Sequence, residues 1–340
     1  MADKHAVLDT SVDAFFLRCG LTAQDQLDCY NFVKDLFPGK PRAPASCQGY
    51  CSFTIFIGDD TVVQFRPPGY QLDLRIADAA CEVYGTFAPE TKYTTTIPTS
   101  GLMVYTMGRM QGVSYKDFRA SSSLTGDSTY RRALLCRDFA VFLSRAWLCD
   151  NTNNLPLGKV GKTLVSRLEA LSTDLPSRFQ PKARNVLIQL HHIDALPWVL
   201  THGDIVTGNI MVDPSTGRLT GFVDWAEAER LPFGICLYGL EEILGEMTPA
   251  GFQYYPDASD LREIFWAELA EKIPEMRESA VVEAVKLSRD LGVLLWHGIA
   301  FDNGAIDRVV QEGRDIDEIH RLHAFLDSSE QQRLDRNSKI

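Results

Sequence analysis

The stretch from Leu200 to Trp225 constrains this chain more than any other, because it spaces two carboxylates and a carboxamide around a short hairpin. It begins Leu-Thr-His-Gly-Asp-Ile-Val-Thr-Gly-Asn. Apolar residues at 210–212 and 219–223 then flank a Pro-Ser-Thr-Gly turn, which predicts two antiparallel strands. Because a hairpin brings its two ends together, Asp224 is predicted to lie beside Asn209. Asp204 precedes Asn209 on the same glycine-containing loop.

Oxygen-bearing side chains that converge in this way favour phosphoryl transfer. Mg²⁺ prefers oxygen ligands and is held by one or two protein carboxylates together with substrate phosphates. Asn209 and Asp224 would supply such ligands, and Asp204 would accept a proton from an attacking hydroxyl. Asp, Asn and Gly are also ordinary turn residues. The combined spacing of His202, Asp204, Asn209 and the Asp224-Trp225 pair favours the functional interpretation.

The order of helix-like and strand-like segments predicts an α+β chain with two lobes. Residues 9–37 read as one or two helices, and 50–57 and 61–65 alternate as strands around a Gly-Asp-Asp turn. A helix over 71–87 and strands near 93–97 and 102–107 follow. The remainder is mainly helical, with predicted helices at 128–149, 161–172, 181–195, 259–272 and 276–300 and a β-rich part at 209–224. We divide the chain into N-terminal helices (1–40), a small β-rich lobe (41–108) and a large helical lobe (109–340), and expect a ligand in the cleft between the lobes.

Charge and composition exclude several functional classes. The 45 acidic residues outnumber the 34 basic ones, so the net charge of −11 disfavours nucleic acid and anionic membranes as partners. No apolar signal-peptide core is visible, and the apolar run at 291–301 is shorter than the roughly 20 residues that span a bilayer. The eight cysteines include no Cys-x-x-Cys pair, and the nearest two, Cys47 and Cys51, lack a second pair for a metal site. A cytoplasmic protein with a small-molecule ligand is predicted.

The run His-Gly-Asp, four residues, Asn, and then Asp-Trp resembles the aminoglycoside phosphotransferase and choline kinase-like family, which has the protein-kinase-like fold. The string at 222–245 is similar to the subset of that family found in filamentous fungi. The resemblance implies that Asp204 is the catalytic aspartate and that His202 braces the catalytic loop. It implies that Asn209 and Asp224 hold Mg²⁺. The implied activity is transfer of the γ-phosphate of ATP, or of GTP, to a hydroxyl or amine of a metabolite.

The same resemblance assigns nucleotide-binding positions in the small lobe. Gln48, Gly49 and Ser52 lie in the run where family members place a phosphate-binding loop, although this run holds one glycine in place of several. An ordinary strand start would read the same way. Tyr105 and Met107 lie in the run 102–108, which matches the segment between lobes whose backbone binds adenine. A buried connecting strand is the alternative for that run.

One departure from the family pattern concerns a positive charge. Glu82 matches the acid that normally pairs with a strand lysine, but Gln64 stands where that lysine belongs. Arg66 lies two residues further along and should face the same side of the strand. It either supplies the missing charge or fixes the end of the sheet near Pro67. A guanidinium does not substitute freely for an ammonium, so loss of kinase activity is an alternative.

Acidic residues give the only sequence signal about the substrate. Between residues 200 and 260 there are ten acidic and two basic residues. Because family members recognise cationic amino groups with acids in this lobe, the resemblance implies an amine-bearing substrate, and a solvated acidic helix face is the alternative. The candidate substrate residues are Trp225, Glu227, Glu229 and Glu241. The alternative to a kinase is a fold repurposed to bind a metabolite or to catalyse a different reaction.

Overall fold

A computed structural model describes residues 11–46, 48–121, 128–149, 155–302 and 305–326 of the chain. The described residues form two compact units. The first is drawn from Met1–Cys81 and Ala88–Met110, and the second from Glu82–Phe87 and Gln111–Ile340. Cys47 lies outside the described residues, so the suggestion about Cys47 and Cys51 stays a prediction.

Two helices open the first unit, as the sequence predicts. The helix α1 spans Val12–Arg18, and α2 spans Ala23–Leu36. Thr22 and Asp25 form a reciprocal capping box at the start of α2, which satisfies backbone N–H groups that the helix itself cannot pair. Both helices bury apolar side chains against the sheet described next. Both helices are therefore part of the first unit, whereas the sequence analysis set residues 1–40 apart from the small β-rich lobe.

A five-stranded antiparallel sheet forms the rest of this unit, together with helix α3 (Leu74–Tyr84), which runs on into the second unit. Its order along the sheet is β1-β2-β3-β5-β4. The strands are β1 (Arg42–Pro44), β2 (Phe53–Ile57), β3 (Thr61–Arg66), β4 (Thr91–Thr96) and β5 (Met103–Gly108). Alternate residues of β2 and β3, such as Phe53 and Phe65, point to the core shared with α1 and α2.

The second unit is mainly helical. Its helices are α4 (Tyr115–Ser121), α5 (Ser128–Trp147), α6 (Lys159–Asp174), α7 (Gln180–Ile188), α8 (Leu190–Asp194), α9 (Tyr238–Leu244), α10 (Ala258–Lys272), α11 (Ser279–His297) and α12 (Ile316–Leu326). No helix in the described part of the chain is both long enough and apolar enough to cross a membrane. The predicted helices over 128–149, 161–172, 181–195, 259–272 and 276–300 correspond to α5, α6, α7 with α8, α10 and α11.

Short antiparallel strands lie between these helices. They are β6 (Val113–Ser114), β7 (Trp198–Thr201), β8 (Ile210–Val212), β9 (Leu219–Phe222), β10 (Glu229–Pro232), β11 (Gly245–Thr248), β12 (Gly251–Tyr254), β13 (Ile299–Asp302) and β14 (Ala305–Val309). The strands β6, β8 and β9 form one sheet, and β7 pairs with β10. The predicted hairpin at 209–224 is therefore present as β8 and β9.

An aromatic cluster from α5 and α10 packs against the β8–β9 hairpin. Phe222 at the end of β9 packs against Phe142 of α5, with ring centroids 4.2 Å apart. Phe139, one turn earlier on α5, contacts both Phe222 and Phe265 of α10. All four rings are fully buried. Large rings in close contact leave little room for rearrangement, so the end of β9 is held in a fixed position.

A buried ion network joins helices α9, α10 and α11. The carboxylate of Glu241 accepts bonds of 2.7 Å from Arg262 and from Arg289, and one of 2.8 Å from the Tyr254 hydroxyl. Burial alone would raise the pKa of Glu241, but the two guanidinium groups outweigh it and hold that pKa at about 2. Only 3% of the Glu241 side chain is exposed. This corrects the predicted substrate role of Glu241, which requires an accessible carboxylate.

We expect Glu241→Gln to lower the free energy of unfolding by about 3–5 kcal/mol, because it removes the buried carboxylate that pairs with both Arg262 and Arg289. Chemical denaturation measures this, with Glu271→Gln on the exposed side of α10 as the control, expected within about 0.5 kcal/mol of wild type. The pKa of Glu241 is depressed from 4.5 to about 2, so its ionised form stabilises the fold above pH 4.5. The difference between wild type and variant should therefore shrink as pH falls from 4.5 towards 2. A difference below 1 kcal/mol at neutral pH, or one that does not change with pH, would contradict this account.

Candidate active site

The hairpin brings its two ends together as the sequence predicts. Ile210 and Phe222 are cross-strand partners in the β8–β9 ladder. One residue beyond that pair, the backbone N–H of Val223 donates to the carbonyl of Asn209 at 3.0 Å. Asp224 follows Val223 directly, so the chain places Asp224 next to Asn209.

Asn209 also fixes the position of Asp204. Its amide nitrogen donates to the Asp204 carboxylate at 2.8 Å and to the Asp204 carbonyl at 3.0 Å. The side chain of Asn209, the last residue of this loop, thus binds back to Asp204 near the start of the loop. The side-chain nitrogen of Asn209 is used in these two hydrogen bonds. Its side-chain oxygen, Oδ1, is therefore the atom that could bind a metal ion.

His202 connects this loop to the far end of the hairpin. Its Nδ1 accepts from the backbone N–H of Asp204 at 3.2 Å, and its Nε2 lies 3.0 Å from the carbonyl of Val223. The carbonyl can only accept, so Nε2 carries the proton and the ring is neutral. Burial lowers the pKa of His202 to about 4, although the Asp224 charge opposes this shift. The neutral ring therefore bridges the loop to the residue before Asp224 across the whole neutral pH range.

Asp224 adopts an unusual backbone conformation. Its φ of 62° makes it the one non-glycine residue with a positive φ in the described part of the chain. This left-handed conformation costs about 1–3 kcal/mol for such a residue and is found mainly at functional sites. Phe222, two residues before Asp224, is fully buried, and its carbonyl accepts from the indole nitrogen of Trp225 at 3.0 Å. Asp224 is thus strained between two anchored aromatic residues, while it remains exposed itself.

The environment of Asp204 raises its pKa to about 7. Burial is the largest cause, and the nearby charge of Asp224 adds to it, while the hydrogen bond from Asn209 opposes both. A carboxylate whose pKa lies near neutrality is well matched to accept a proton at physiological pH. The arrangement can therefore hold a base beside two oxygen ligands.

Packing behind the loop depends on residues that the sequence analysis missed. The Tyr84 hydroxyl donates to the carbonyl of Leu200, and its ring lies 5.0 Å from that of Trp225. The Tyr238 hydroxyl accepts from the backbone N–H of Ile205 at 2.9 Å. Tyr84 belongs to no motif, and Tyr238 lies in the string at 222–245 that carries a family resemblance but no role for this residue, so the sequence singled out neither.

The donor set fits a magnesium ion. Asn209 and Asp224 offer oxygen atoms and no sulfur or imidazole nitrogen, which suits a hard cation. Two protein ligands are too few to enclose an ion, so substrate phosphates and water would complete the coordination. No group of three or more His, Cys, Asp or Glu residues that could hold a metal is found in the described part of the chain. With only Asn209 and Asp224 as protein ligands, the site fits a metal delivered with a nucleotide better than a resident metal.

The predicted phosphate loop connects β1 to β2 and is braced from within. Gln48 is buried, and its amide exchanges hydrogen bonds with the backbone of Thr54 at 2.7 and 3.2 Å. Arg18 of α1 donates to the carbonyl of Gly49 at 3.3 Å. Ser52 is buried beside Thr54. The Gln48 side chain therefore fixes the loop, and any contact with phosphates would come from the loop backbone.

Gln64 and Arg66 do face the same side of β3. The Nε of Arg66 donates to the Gln64 side-chain oxygen at 3.1 Å, and its Nη1 donates to the carbonyl of Tyr70 at 3.1 Å. Arg66 is buried, with 3% of its surface exposed. These contacts support its role at the end of the sheet near Pro67. Glu82 lies on the part of α3 that belongs to the second unit, and its pairing with Arg66 stays a prediction.

The predicted adenine contacts at Tyr105 and Met107 need correction. Both residues lie in β5, which pairs with β3 on one edge and with β4 on the other. Their backbone groups are therefore committed to the sheet and cannot bind a base. The Tyr105 ring is buried, and its hydroxyl accepts from the N–H of Leu72 at 3.2 Å. The run 102–108 is thus a buried strand of the sheet, which was the alternative to an adenine-binding segment.

The candidate substrate acids differ in accessibility. Glu227 is exposed, and its backbone lies beside Gly203 of the loop that carries Asp204. Glu229 is buried, and its carboxylate accepts from the N–H groups of Val160 and Gly161 at 2.9 and 2.7 Å. It therefore caps the start of α6, whose own N-cap residue, Gly158, has no side chain to do so. This corrects the predicted substrate role of Glu229, while the role of Glu227 stays a prediction.

Solved structures with a similar fold are kinase-like phosphotransferases. The GDP complex of wild-type aminoglycoside 2'-phosphotransferase-IIIa aligns with a TM-score of 0.53 and 13% identity, over 81% of this chain and 91% of that one. The GDP and kanamycin complex of APH(2")-IIIa aligns with a TM-score of 0.52 and 13% identity, over 92% of this chain and 100% of that one. At this identity the similarity establishes the fold alone, and it confirms the predicted α+β, protein-kinase-like class.

The family follows from the sequence profile of the phosphotransferase enzyme family (APH), which matches residues 50–233. This match covers more than half of the chain and includes the whole loop and hairpin described above. The chain therefore belongs to the phosphotransferase enzyme family, which confirms the family resemblance. No curated protein sequence matches the chain. Its place in a fungal subset stays a prediction.

We expect Gly203→Ala to destabilise the loop by about 2 kcal/mol or more. Gly203 has a φ of +78°, and a Cβ atom there would lie 2.1 Å from the carbonyl oxygen of Glu227, so backbone must move. The control is Gly208→Ala in the same loop, where a Cβ atom meets nothing within 4 Å. Thermal unfolding of both variants is the measurement. Equal melting temperatures for the two variants would disprove the close approach of residues 225–227.

Proposed function

We propose that this protein transfers the γ-phosphate of ATP or GTP, with Mg²⁺, to a hydroxyl group of a small molecule. The observation that carries the proposal is the arrangement of Asp204, Asn209 and Asp224 around one loop and one hairpin end. Membership of a phosphotransferase family supports it. So does the oxygen-only donor set, which suits a metal that arrives with phosphates.

In this mechanism Asp204 orients the acceptor hydroxyl and takes its proton as the hydroxyl oxygen attacks the phosphorus. Its raised pKa suits that step, since a base near pH 7 is both partly ionised and able to accept the proton. Asn209 and Asp224 would hold Mg²⁺, which supplies charge neutralisation on the phosphates when bound. His202 keeps the loop and the hairpin end in register through its two ring nitrogens.

We expect Asp204→Asn to lower kcat by about two to four orders of magnitude, because the base is lost while the shape is nearly kept. Release of nucleoside diphosphate, measured with and without a panel of alcohol acceptors, gives the rate. Asp260→Asn, the same change at an exposed site on α10, is the control and should leave the rate unchanged. In wild type, kcat/KM should fall about tenfold per pH unit below the Asp204 pKa of about 7. Turnover of Asp204→Asn within threefold of wild type would remove Asp204 from this role.

The same variant separates lost chemistry from lost folding. The pKa of Asp204 is raised from 3.8 to about 7 in the folded chain, so its ionisation opposes folding. This cost is absent below pH 3.8, grows between pH 3.8 and 7, and is constant above. At pH 8 Asp204→Asn should therefore melt at or above the wild-type temperature. If Asp204→Asn melts at a lower temperature than wild type at pH 8, the lost turnover is explained by misfolding.

A second candidate is a kinase-like fold that binds a metabolite without phosphoryl transfer. The observation that favours it is Gln64 at the position of the usual strand lysine, with Arg66 bound to Tyr70 and to Gln64. If Arg66 also serves the phosphates, the positive charge has moved two residues along the strand. If it serves only the sheet, the nucleotide site lacks its usual cation.

Nucleotide affinity discriminates between the two candidates. For the kinase with a relocated charge, Arg66→Ala should weaken Mg-ATP binding by about 1.5–3 kcal/mol, and Gln64→Lys in that background should restore part of it. Titration calorimetry on wild type and both variants is the measurement, with melting temperatures to confirm folding. No detectable binding by wild type at millimolar Mg-ATP or Mg-GTP would reject the kinase. Equal affinity in wild type and Arg66→Ala would keep the kinase and reject the relocated charge.

A further inference from the structure

Side chains bind two consecutive backbone N–H groups in the loop that carries Asp204. The N–H of Asp204 donates to His202, and the N–H of the next residue, Ile205, donates to the Tyr238 hydroxyl at 2.9 Å. His202 belongs to the loop itself, whereas Tyr238 is the first residue of α9. Because Ile205 is fully buried, its N–H needs an acceptor inside the protein. The Tyr238 hydroxyl supplies that acceptor from outside the loop.

Helix α11 holds the Tyr238 ring. The rings of Tyr238 and Trp296 are nearly parallel, with centroids 5.2 Å apart and an angle of 8° between their planes. The His297 ring lies perpendicular to that of Tyr238, with centroids 5.9 Å apart. Only 2% of Tyr238 is exposed. A large buried ring packed against two others has little freedom to move, so its hydroxyl is held in a fixed position.

Two glycines allow close approach on both sides of this contact. A Cβ atom at Gly292 of α11 would lie 1.8 Å from the carbonyl oxygen of Ile235, in the short turn that leads into α9. A Cβ atom at Gly239, the second residue of α9, would lie 2.2 Å from Cγ2 of Ile205. Helix α11 thus packs directly on the start of α9, and the start of α9 packs directly on the loop.

Packing alone leaves one side of the loop without support. Thr201 and Gly203, on either side of His202, line a cavity, and so does Tyr238. Atoms that face a cavity lack the contacts that would hold them in place on that side. The position of the loop therefore depends on directed hydrogen bonds, among them the bond from Ile205 to Tyr238.

We propose that Tyr238 is a positioning residue, whose hydroxyl holds the loop so that Asp204 meets the acceptor hydroxyl in the geometry that transfer requires. It touches no reacting atom and acts through the N–H of Ile205. The kinetic part of this inference rests on the proposed function, whereas the structural part does not. A misplacement of about 1 Å can cost about a hundredfold in rate, so a single hydrogen bond beside the base can affect turnover.

Amide hydrogen exchange of the full chain tests the structural part without nucleotide. Tyr238→Phe removes the hydroxyl and keeps the ring. The Ile205 amide should then exchange about fivefold or more faster than in wild type, because it loses its acceptor. Equal exchange at Ile205 in wild type and in Tyr238→Phe would overturn the proposal.

Tyr115→Phe is the matched control. The Tyr115 hydroxyl is also buried, and it donates to the carbonyl of Ile243 near the other end of α9 at 3.1 Å. This variant therefore loses one buried bond between a hydroxyl and the backbone, as Tyr238→Phe does, but away from the loop. It should leave exchange at Ile205 unchanged, and the melting temperatures of the two variants should fall by similar amounts. Faster exchange at Ile205 in both variants would indicate general loosening and overturn the specific role of Tyr238.

Turnover tests the kinetic part, with water as the acceptor and Mg-ATP or Mg-GTP as the donor. Tyr238→Phe should lower kcat for nucleoside diphosphate release about ten- to a hundredfold and leave the KM for the nucleotide within about twofold of wild type. The reason is that the change displaces the base and leaves the nucleotide contacts in place. Tyr115→Phe should keep both constants. A purely structural role would affect the two variants alike, and a kcat of Tyr238→Phe within twofold of wild type would overturn the positioning role.

The double variant shows whether Tyr238 acts through Asp204. In the Asp204→Asn background, Tyr238→Phe should change kcat by less than about twofold, because the base that it positions is already absent. A further tenfold loss in that background, measured at single turnover, would mean that Tyr238 acts on another group and would overturn the proposal.

The two kinds of measurement also separate this proposal from the proposed function. Faster exchange at Ile205 in Tyr238→Phe with unchanged kcat would reject the positioning role and keep the phosphotransferase. No turnover of Mg-ATP or Mg-GTP by wild type, with exchange at Ile205 still dependent on Tyr238, would reject the phosphotransferase and the kinetic part together and support the structural part alone.

Discussion

The contacts of His202 hold the candidate site together. One buried, neutral ring connects the backbone of Asp204 to the carbonyl of Val223, the residue before Asp224. Asp204, the proposed base, and Asp224, a proposed metal ligand, lie about twenty residues apart in the sequence, and this bridge keeps their segments in register. Since protonation would remove the acceptor at Nδ1, the low pKa of the ring maintains the bridge. Burial of His202 keeps the ring neutral, and the neutral ring in turn fixes the geometry of the loop.

Burial raises the pKa of both Glu241 and Asp204, but their neighbours shift the two pKa values in opposite directions. Glu241 is buried among two arginines, which hold its pKa at about 2, so the carboxylate is ionised and serves packing. Asp204 is partly buried beside a second carboxylate and one amide, and its pKa rises to about 7. The difference lies in the neighbours and not in the residue type. An acid that resists ionisation is available for proton transfer, whereas a fully paired acid is not.

The sequence predicts the features that depend on short-range patterns. The hairpin at 209–224 has a clear turn and apolar flanks, so the closeness of Asn209 to Val223 could be predicted. The partners of Glu241 could not, because Arg262 and Arg289 lie on separate helices far along the chain. Likewise, the run at 102–108 has the same pattern in a central strand as in a connecting segment. Only the ladders on both sides of β5 identify it as the former.

Glu229 shows how an acidic stretch can mislead about a substrate. Its position after Asp224 suggested a contact with a cation, but the chain needs a cap for α6, whose N-cap residue is a glycine. That glycine is required, because a Cβ atom at Gly158 would lie 2.6 Å from Glu229. The carboxylate therefore caps the helix and is not available to a ligand.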